Sequence, residues 1–419
     1  MADGTSHPLS TGRRVTRRPV LVVVPLVAVL LAGGLWTVAR DGGSPAPAAT
    51  ATGAPVPPPD VRAVETILRN RARAVRERDR AAFLATVIGA SEAFRESQRL
   101  LFDNLMRLPL ESWREETASP VPAATGDGGA TLKLTLRYRL RGFDEREVTR
   151  TRYLTFAPGE GSGWRIVGDG VRNGLSDDAD IWDGARIAAV RGRHSLVIGA
   201  TGGLEEIAGR LDAAVPRITE VVGDRWARRV VALVPADDQR AAALAPGNPV
   251  TNIAALAVSG PAGEDRIVIA PGTFGRLNAL GREVVLTHEL THVATGGARD
   301  GRTPLWLIEG LADYVGYKGA TVPVRSAARE LAREVAAGRV PEALPEAADF
   351  DGPDRLPQVY AEAWLACRMV AERYGEDALV ELYRAAGRRS QEAALRSTLG
   401  VGTAGFTAMW RDYLRKELG

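Results

Sequence analysis

The sequence predicts an α+β protein in three successive parts. An N-terminal transmembrane helix comes first, then a small helix-plus-antiparallel-sheet domain. A larger two-lobed domain follows, with a mixed-sheet N-lobe and a helical C-lobe. Three observations predict this. An uncharged apolar run lies near the N-terminus, the hydrophobic period changes from helical to two near residue 131, and strand-like runs give way to helices after residue 300. With 419 residues, 45% of them hydrophobic and 25% charged, there is ample material for more than one core.

Residues 19–39, PVLVVVPLVAVLLAGGLWTVA, carry no charge. As a helix they reach about 30 Å, the thickness of a bilayer core. Arg13, Arg14, Arg17 and Arg18 precede them, while Arg40 and Asp41 cancel on the far side. The positive-inside rule then makes residues 1–18 a cytoplasmic basic tail and puts the rest of the chain outside. A cleaved signal peptide ending near TVA is the competing reading, and it also exports the protein. Against Asp3, those four arginines account for the whole formal charge of +3. The remainder is near neutral, so the basicity is local and argues against a nucleic-acid partner. Residues 40–60 are rich in Pro, Ala and Gly and form an extended tether.

The domain expected over 61–175 opens with Val64, Ile67, Leu68 and Ala72 at helical spacing. Asp79 caps a short second helix through Phe83 and Leu84, and Leu100, Leu101, Leu105 and Leu108 mark a third. In TLKLTLRYRLRG, Leu132, Leu134, Leu136, Tyr138 and Leu140 then alternate with Lys133, Arg137 and Arg139, as in a half-buried strand. EVTRTRYLTFAP and WRIVGDG read as two further strands. Helices followed by an antiparallel sheet resemble the cone-shaped domains related to nuclear transport factor 2 and the SnoaL-like enzymes. The resemblance is one of architecture, without a motif, and an accessory or binding role is its expectation.

The second domain is expected over 185–419. SLVIGA, RRVVALVPA, TNIAALAVSG and DRIVIAPG read as strands, with a helix across GGLEEIAGRLDAAVPRITEVVG. Cys367, the only cysteine, permits no intrachain disulfide, and its apolar neighbours suit a buried thiol.

VVLTHELTHVATGG holds two of the four histidines. On a helix, His288 and His292 lie on one face and can share an ion. Glu289, one step round, is badly placed as a ligand and well placed to touch a water on that ion. Gly296 and Gly297 suit the helix end. A catalytic zinc takes three protein ligands and keeps one open position. His7 lies on the cytoplasmic side, His194 precedes a strand, and Ala298 stands where a third histidine six residues on would fall. The third ligand is therefore expected to be a carboxylate. TPLWLIEGLADYVG offers Glu309 and Asp313, four apart on an otherwise apolar helix, with Thr303 as N-cap and Pro304 as first helical residue. Two buried acids need partners. Zinc for Glu309 and a histidine N–H for Asp313 would supply them.

These residues resemble the gluzincin peptidases, the clan of thermolysin and the membrane alanyl aminopeptidases, and the broader peptidase MA-like domains. The resemblance implies a Zn2+ cofactor held by His288, His292 and Glu309. It makes Glu289 the general base and acid, Asp313 the residue that orients a histidine, and a peptide or protein the substrate. QVYAEAWLACRMVAERYG resembles the downstream helix on which the aminopeptidases carry a tyrosine. Tyr360 is thus the candidate for oxyanion stabilisation, against a tyrosine that merely packs at a helix start. Residues 252–258 fit the edge strand that binds substrate backbone in this clan. The departures are 16 residues between His292 and Glu309, no G-x-M-E-N motif, and no histidine after His292. Recognition of a free N-terminus therefore does not carry over. Two other readings stay open: a catalytically silent peptidase-like binding or sensor protein, and a first domain that binds a small ligand or cell-wall component. The sequence does not fix the oligomeric state.

Overall fold

A computed structural model describes residues 59–119, 122–126, 129–159, 163–247, 253–296, 301–352 and 354–419. The expected membrane helix at 19–39 lies outside these. Among the described residues no helix is long and apolar enough to cross a membrane. The fold is α+β, with one antiparallel sheet, one mixed sheet and many helices.

The first unit starts with α1 (Val61–Glu77), α2 (Arg80–Ala85) and α3 (Glu92–Leu105). Asp60, Asp79 and Ser91 cap them by accepting hydrogen bonds from first-turn amides. Its sheet comprises β1 (Leu110–Thr117), β2 (Ala124–Gly126), β3 (Gly129–Leu140), β4 (Val148–Pro158) and β5 (Trp164–Asp169). The order is β1-β3-β4-β5, with β2 paired to β3. Sequence periodicity finds β3, β4 and β5 but misses β1, where LESWREET buries Trp113 and Glu115 two apart. A buried acid disguises its inward face. Glu115 pairs at 3.1 Å with the buried Arg71 of α1, whose guanidinium also bonds Gln98 and Thr86 and stacks 3.8 Å over Phe83. The buried Arg71 and Glu115 charges thus face each other inside the first unit.

The second unit holds β6 (Ala188–Arg191), β7 (Ser195–Gly199), α4 (Leu204–Val222), β8 (Val230–Val234), α5 (Asp238–Leu244), β9 (Ala255–Ser259) and β10 (Asp265–Ile269). Its sheet order is β6-β7-β8-β10-β9; β7, β8 and β10 run parallel, and β6 and β9 are antiparallel edges. Among the described residues nine α-helices follow: α6 (Pro271–Gly275), α7 (Ala279–Thr295), α8 (Leu305–Tyr317), α9 (Val324–Ala327), α10 (Arg329–Ala336), α11 (Leu356–Tyr374), α12 (Glu376–Ala386), α13 (Gln391–Leu399) and α14 (Thr403–Leu418).

Both faces of this mixed sheet are covered. Val197, Ala232, Ile267 and Ile269 pack with α4, α7 and α8. Their alternates Leu196, Ile198 and Val231 join Trp113, Tyr138 and Leu140 of the first unit in one continuous core. The connecting segment is part of that core. Trp182 meets Trp113 and Tyr138 edge-on at 5.7 and 5.0 Å. The buried Asn104 of α3 donates to the Trp182 and Ala185 carbonyls at 2.9 and 2.7 Å and accepts from the Ile187 amide at 3.1 Å.

Charged contacts complete the junction. On β4, Arg150 and Arg152 share the face of Val148 and Leu154. Arg152 bonds Asp177 at 2.9 Å, and Arg150 lies 3.4 Å from the buried Asp180. Arg150 also donates to Glu264 at 2.8 Å, and Arg266 of β10 to Asp144 at 2.6 Å.

Candidate metal centre

The centre lies on α7 and α8, both buried nearly all round. Asn278 caps α7 by accepting from the Gly281 amide at 2.8 Å. Gly296, at φ 79°, ends the helix in the left-handed region, which favours glycine. The next helix departs from the sequence reading by one residue. Pro304 has an extended ψ of 139° and is the N-cap of α8, which begins at Leu305, not the first helical residue that the sequence suggests. Gly310 lets α8 and α11 touch: a Cβ there would stand 2.3 Å from the Ala363 carbonyl oxygen and 2.7 Å from Cys367 Sγ.

That packing brings the predicted ligands together. His288 Nε2 lies 2.9 Å from His292 Nε2 and 3.2 Å from Glu309 Oε2, and His292 Nε2 lies 3.5 Å from the same oxygen. Ligand atoms about 2.0–2.2 Å from a tetrahedral zinc stand about 3.3–3.5 Å apart, so the triangle is close to the size such an ion needs. His288, His292 and Glu309 are the group of metal-ligating side chains found among the described residues.

Hydrogen bonding gives an independent test of fit. His288 Nδ1 is 2.7 Å from Asp313 Oδ1. The carboxylate holds the proton on Nδ1 and turns the Nε2 lone pair inward. Glu309 is fully buried, yet among the described residues neither of its oxygens accepts a hydrogen bond of good geometry; only the imidazole nitrogens face Oε2. Converging lone pairs around an unsatisfied carboxylate are unfavourable without a cation or a proton to share. The residues present fit a metal ion. His292 Nδ1 also has no hydrogen-bond partner among the described residues, so Asp313 supports only one of the two histidines.

The buried groups shift one another's titration. Burial lowers the pKa of His288, but the Asp313 and Glu309 carboxylates outweigh it and hold the imidazole well above its usual value. Burial works to raise Glu309, and the two histidines overcome it and draw it below its usual range. For Glu289 burial prevails, and its pKa rises to about 8.

Glu289 accepts a 2.7 Å hydrogen bond at Oε2 from the Ala257 amide of β9. This contact escapes the sequence because it is made by a main-chain group 32 residues away. The orientation of β9 follows from its ends. Ala254 O accepts from Ala270 N at 2.9 Å and Gly260 N donates to Glu264 O at 2.7 Å, so even-numbered residues face β10. Ala255 and Ala257 direct their main-chain groups the other way, to the open side of the sheet.

Tyr360 of α11 is buried beside the centre, its ring 6.4 Å from that of His288. Phe350, from a 3-10 turn at Ala347–Asp351, packs edge-on against it at 5.3 Å. Sequence periodicity gives no sign of Phe350, which lies in an irregular connection. His194 sits at the start of β7 with Nδ1 3.1 Å from the Arg228 carbonyl oxygen, a structural position. No family model matches this chain, and no curated protein matches it.

Proposed function

We propose that the chain is an exported zinc peptidase, anchored by residues 19–39, with its N-terminus cytoplasmic and a two-lobed gluzincin-like catalytic domain outside. The observation that carries this reading is the buried convergence of His288, His292 and Glu309, in which Glu309 has no other partner among the described residues. Zinc, when bound, supplies the Lewis acidity that brings a water's pKa toward neutrality.

Everything else falls to the chain's own residues. Glu289 takes the water's proton and returns it to the leaving amine. Asp313 keeps His288 in the tautomer that offers Nε2 to the metal. Ala255 and Ala257 receive the peptide backbone as an added strand. Tyr360 donates to the oxygen on which negative charge develops. The first unit serves as an accessory part of the nuclear-transport-factor-2-like type.

A second reading, a silent peptidase-like binding protein, is favoured by one observation. His288, Glu289, His292 and Glu309 are 0–3% exposed, so a substrate reaches them only after the surrounding chain moves aside.

Metal analysis of the purified full-length chain, joined to peptide-library profiling, tests both. The peptidase reading expects one zinc per chain and cleavage of library peptides. Stoichiometric zinc without cleavage favours the silent protein, and absence of stoichiometric zinc overturns the metal assignment.

A further inference from the structure

We propose that the first unit clamps the β9–β10 hairpin, and that Arg150 and Arg266 are positioning residues for the edge strand. The functional side of this inference rests on the peptidase reading; the clamp itself does not.

The hairpin is held from the first unit at two points. At its turn, Glu264 receives Arg150 of β4 at 2.8 Å, while its other oxygen accepts the Ala262 amide at 3.0 Å. On its inner strand, Arg266 donates to Asp144 at 2.6 Å, and Asp144 is itself fixed by the Leu140 amide at 2.8 Å. Glu264, the residue just before β10, and Arg266 on it lie two apart, opposite to the face of Ile267 and Ile269 that meets the helices. The Asp144 and Glu264 side chains are 1% and 4% exposed, so water screens neither contact and each charge depends on its partner.

Their location gives these pairs a role beyond holding two units together, because the shared apolar core already does that. Among the described residues β9 is an edge strand, with β10 its sole strand neighbour. Its Ala257 amide contacts Glu289 on the side away from β10. The strand proposed to receive substrate is thus fixed through β10 from the first unit and through Glu289 from α7. Loosening the first attachment frees β9 to shift against the metal centre while leaving the ligands on α7 and α8 in place.

The test uses the full-length chain with Arg266→Met, Arg266→Lys and Glu264→Gln, read by amide hydrogen exchange, metal content and peptide kinetics. Glu264→Gln preserves shape and supplies a folded variant if Arg266→Met fails. We expect exchange across 255–259 to quicken about tenfold in Arg266→Met and Glu264→Gln, while segments 279–295 and 305–317 stay within about twofold. Metal content should be unchanged, and Arg266→Lys should recover most of the protection. For an extended peptide we expect KM to rise about fivefold or more with kcat within about twofold. Unchanged exchange at 255–259 overturns the clamp, as does acceleration that spreads equally through 230–234 and 279–295. A wild type that cuts no peptide, combined with local loosening of β9, leaves the clamp standing and removes the peptidase reading. Cleavage with β9 exchange and KM unmoved does the reverse.

Discussion

At the scale of single residues, the centre separates holding a metal from using it. Glu309→Ala removes one of the three converging ligands, so metal analysis should find the variant empty after dialysis. Glu289→Gln keeps the size and the contact from Ala257, so the variant should retain metal at wild-type stoichiometry and lose hydrolysis by 10²-fold or more, on the order of a lost general base. Away from the centre, burial lifts Asp180 to about 7 despite Arg150 and Arg152 beside it. Its folded pKa lies above its unfolded value, so the native state binds the extra proton. Its contribution to stability is therefore fully present below about pH 4 and is lost as pH rises to about 7. Asp180→Asn should flatten that part of the profile, read as the difference in urea midpoints between pH 4.5 and pH 8. What the sequence revealed at this scale was side-chain chemistry at helical spacing. His288, His292, Glu309 and Asp313 are legible because each pair stands four apart on a helix, whereas Ala257 and Phe350 are not, since a main-chain amide and an irregular turn leave no pattern to read.

At the scale of elements, the position of α8 against α11 depends on Gly310. A Cβ at this residue would overlap the Ala363 carbonyl, so Gly310→Ala must push the helices apart. We expect a loss of about 1–3 kcal/mol in urea unfolding, with weakened metal affinity because Glu309 and Asp313 ride on the displaced helix. The connecting segment depends similarly on Asn104. Asn104→Ala leaves two carbonyls and the Ile187 amide without their partner, and should cost about 2–3 kcal/mol by the same measurement. Most helices and the long strands were readable from periodicity, down to the Asp79 and Gly296 caps. β1 was not, because Glu115 breaks the apolar alternation that defines an inward face. On β4, Arg150 and Arg152 stand on the same face as Val148 and Leu154, an arrangement with no meaning until Asp177, Asp180 and Glu264 are seen opposite them.

At the scale of the whole molecule, two units recognisable as separate patterns share one core, and composition has no way to express that sharing. Leu196, Ile198 and Val231 read as strand interior in either case; only the structure shows that the layer over them is the first unit. A chain starting at residue 185 would expose that face, and we expect it to aggregate or to bind a hydrophobic dye, measured against the full-length protein. The interlocking also sets a timetable for the nascent chain. Synthesis delivers residues 61–175 first, when the strands carrying Leu196, Val231 and Arg266 do not yet exist. Trp113 and Tyr138 must wait uncovered for Trp182, and Asp144 must wait longer still for Arg266. The first of the two units to be made is therefore among the last to be finished, and until then it needs protection from its neighbours.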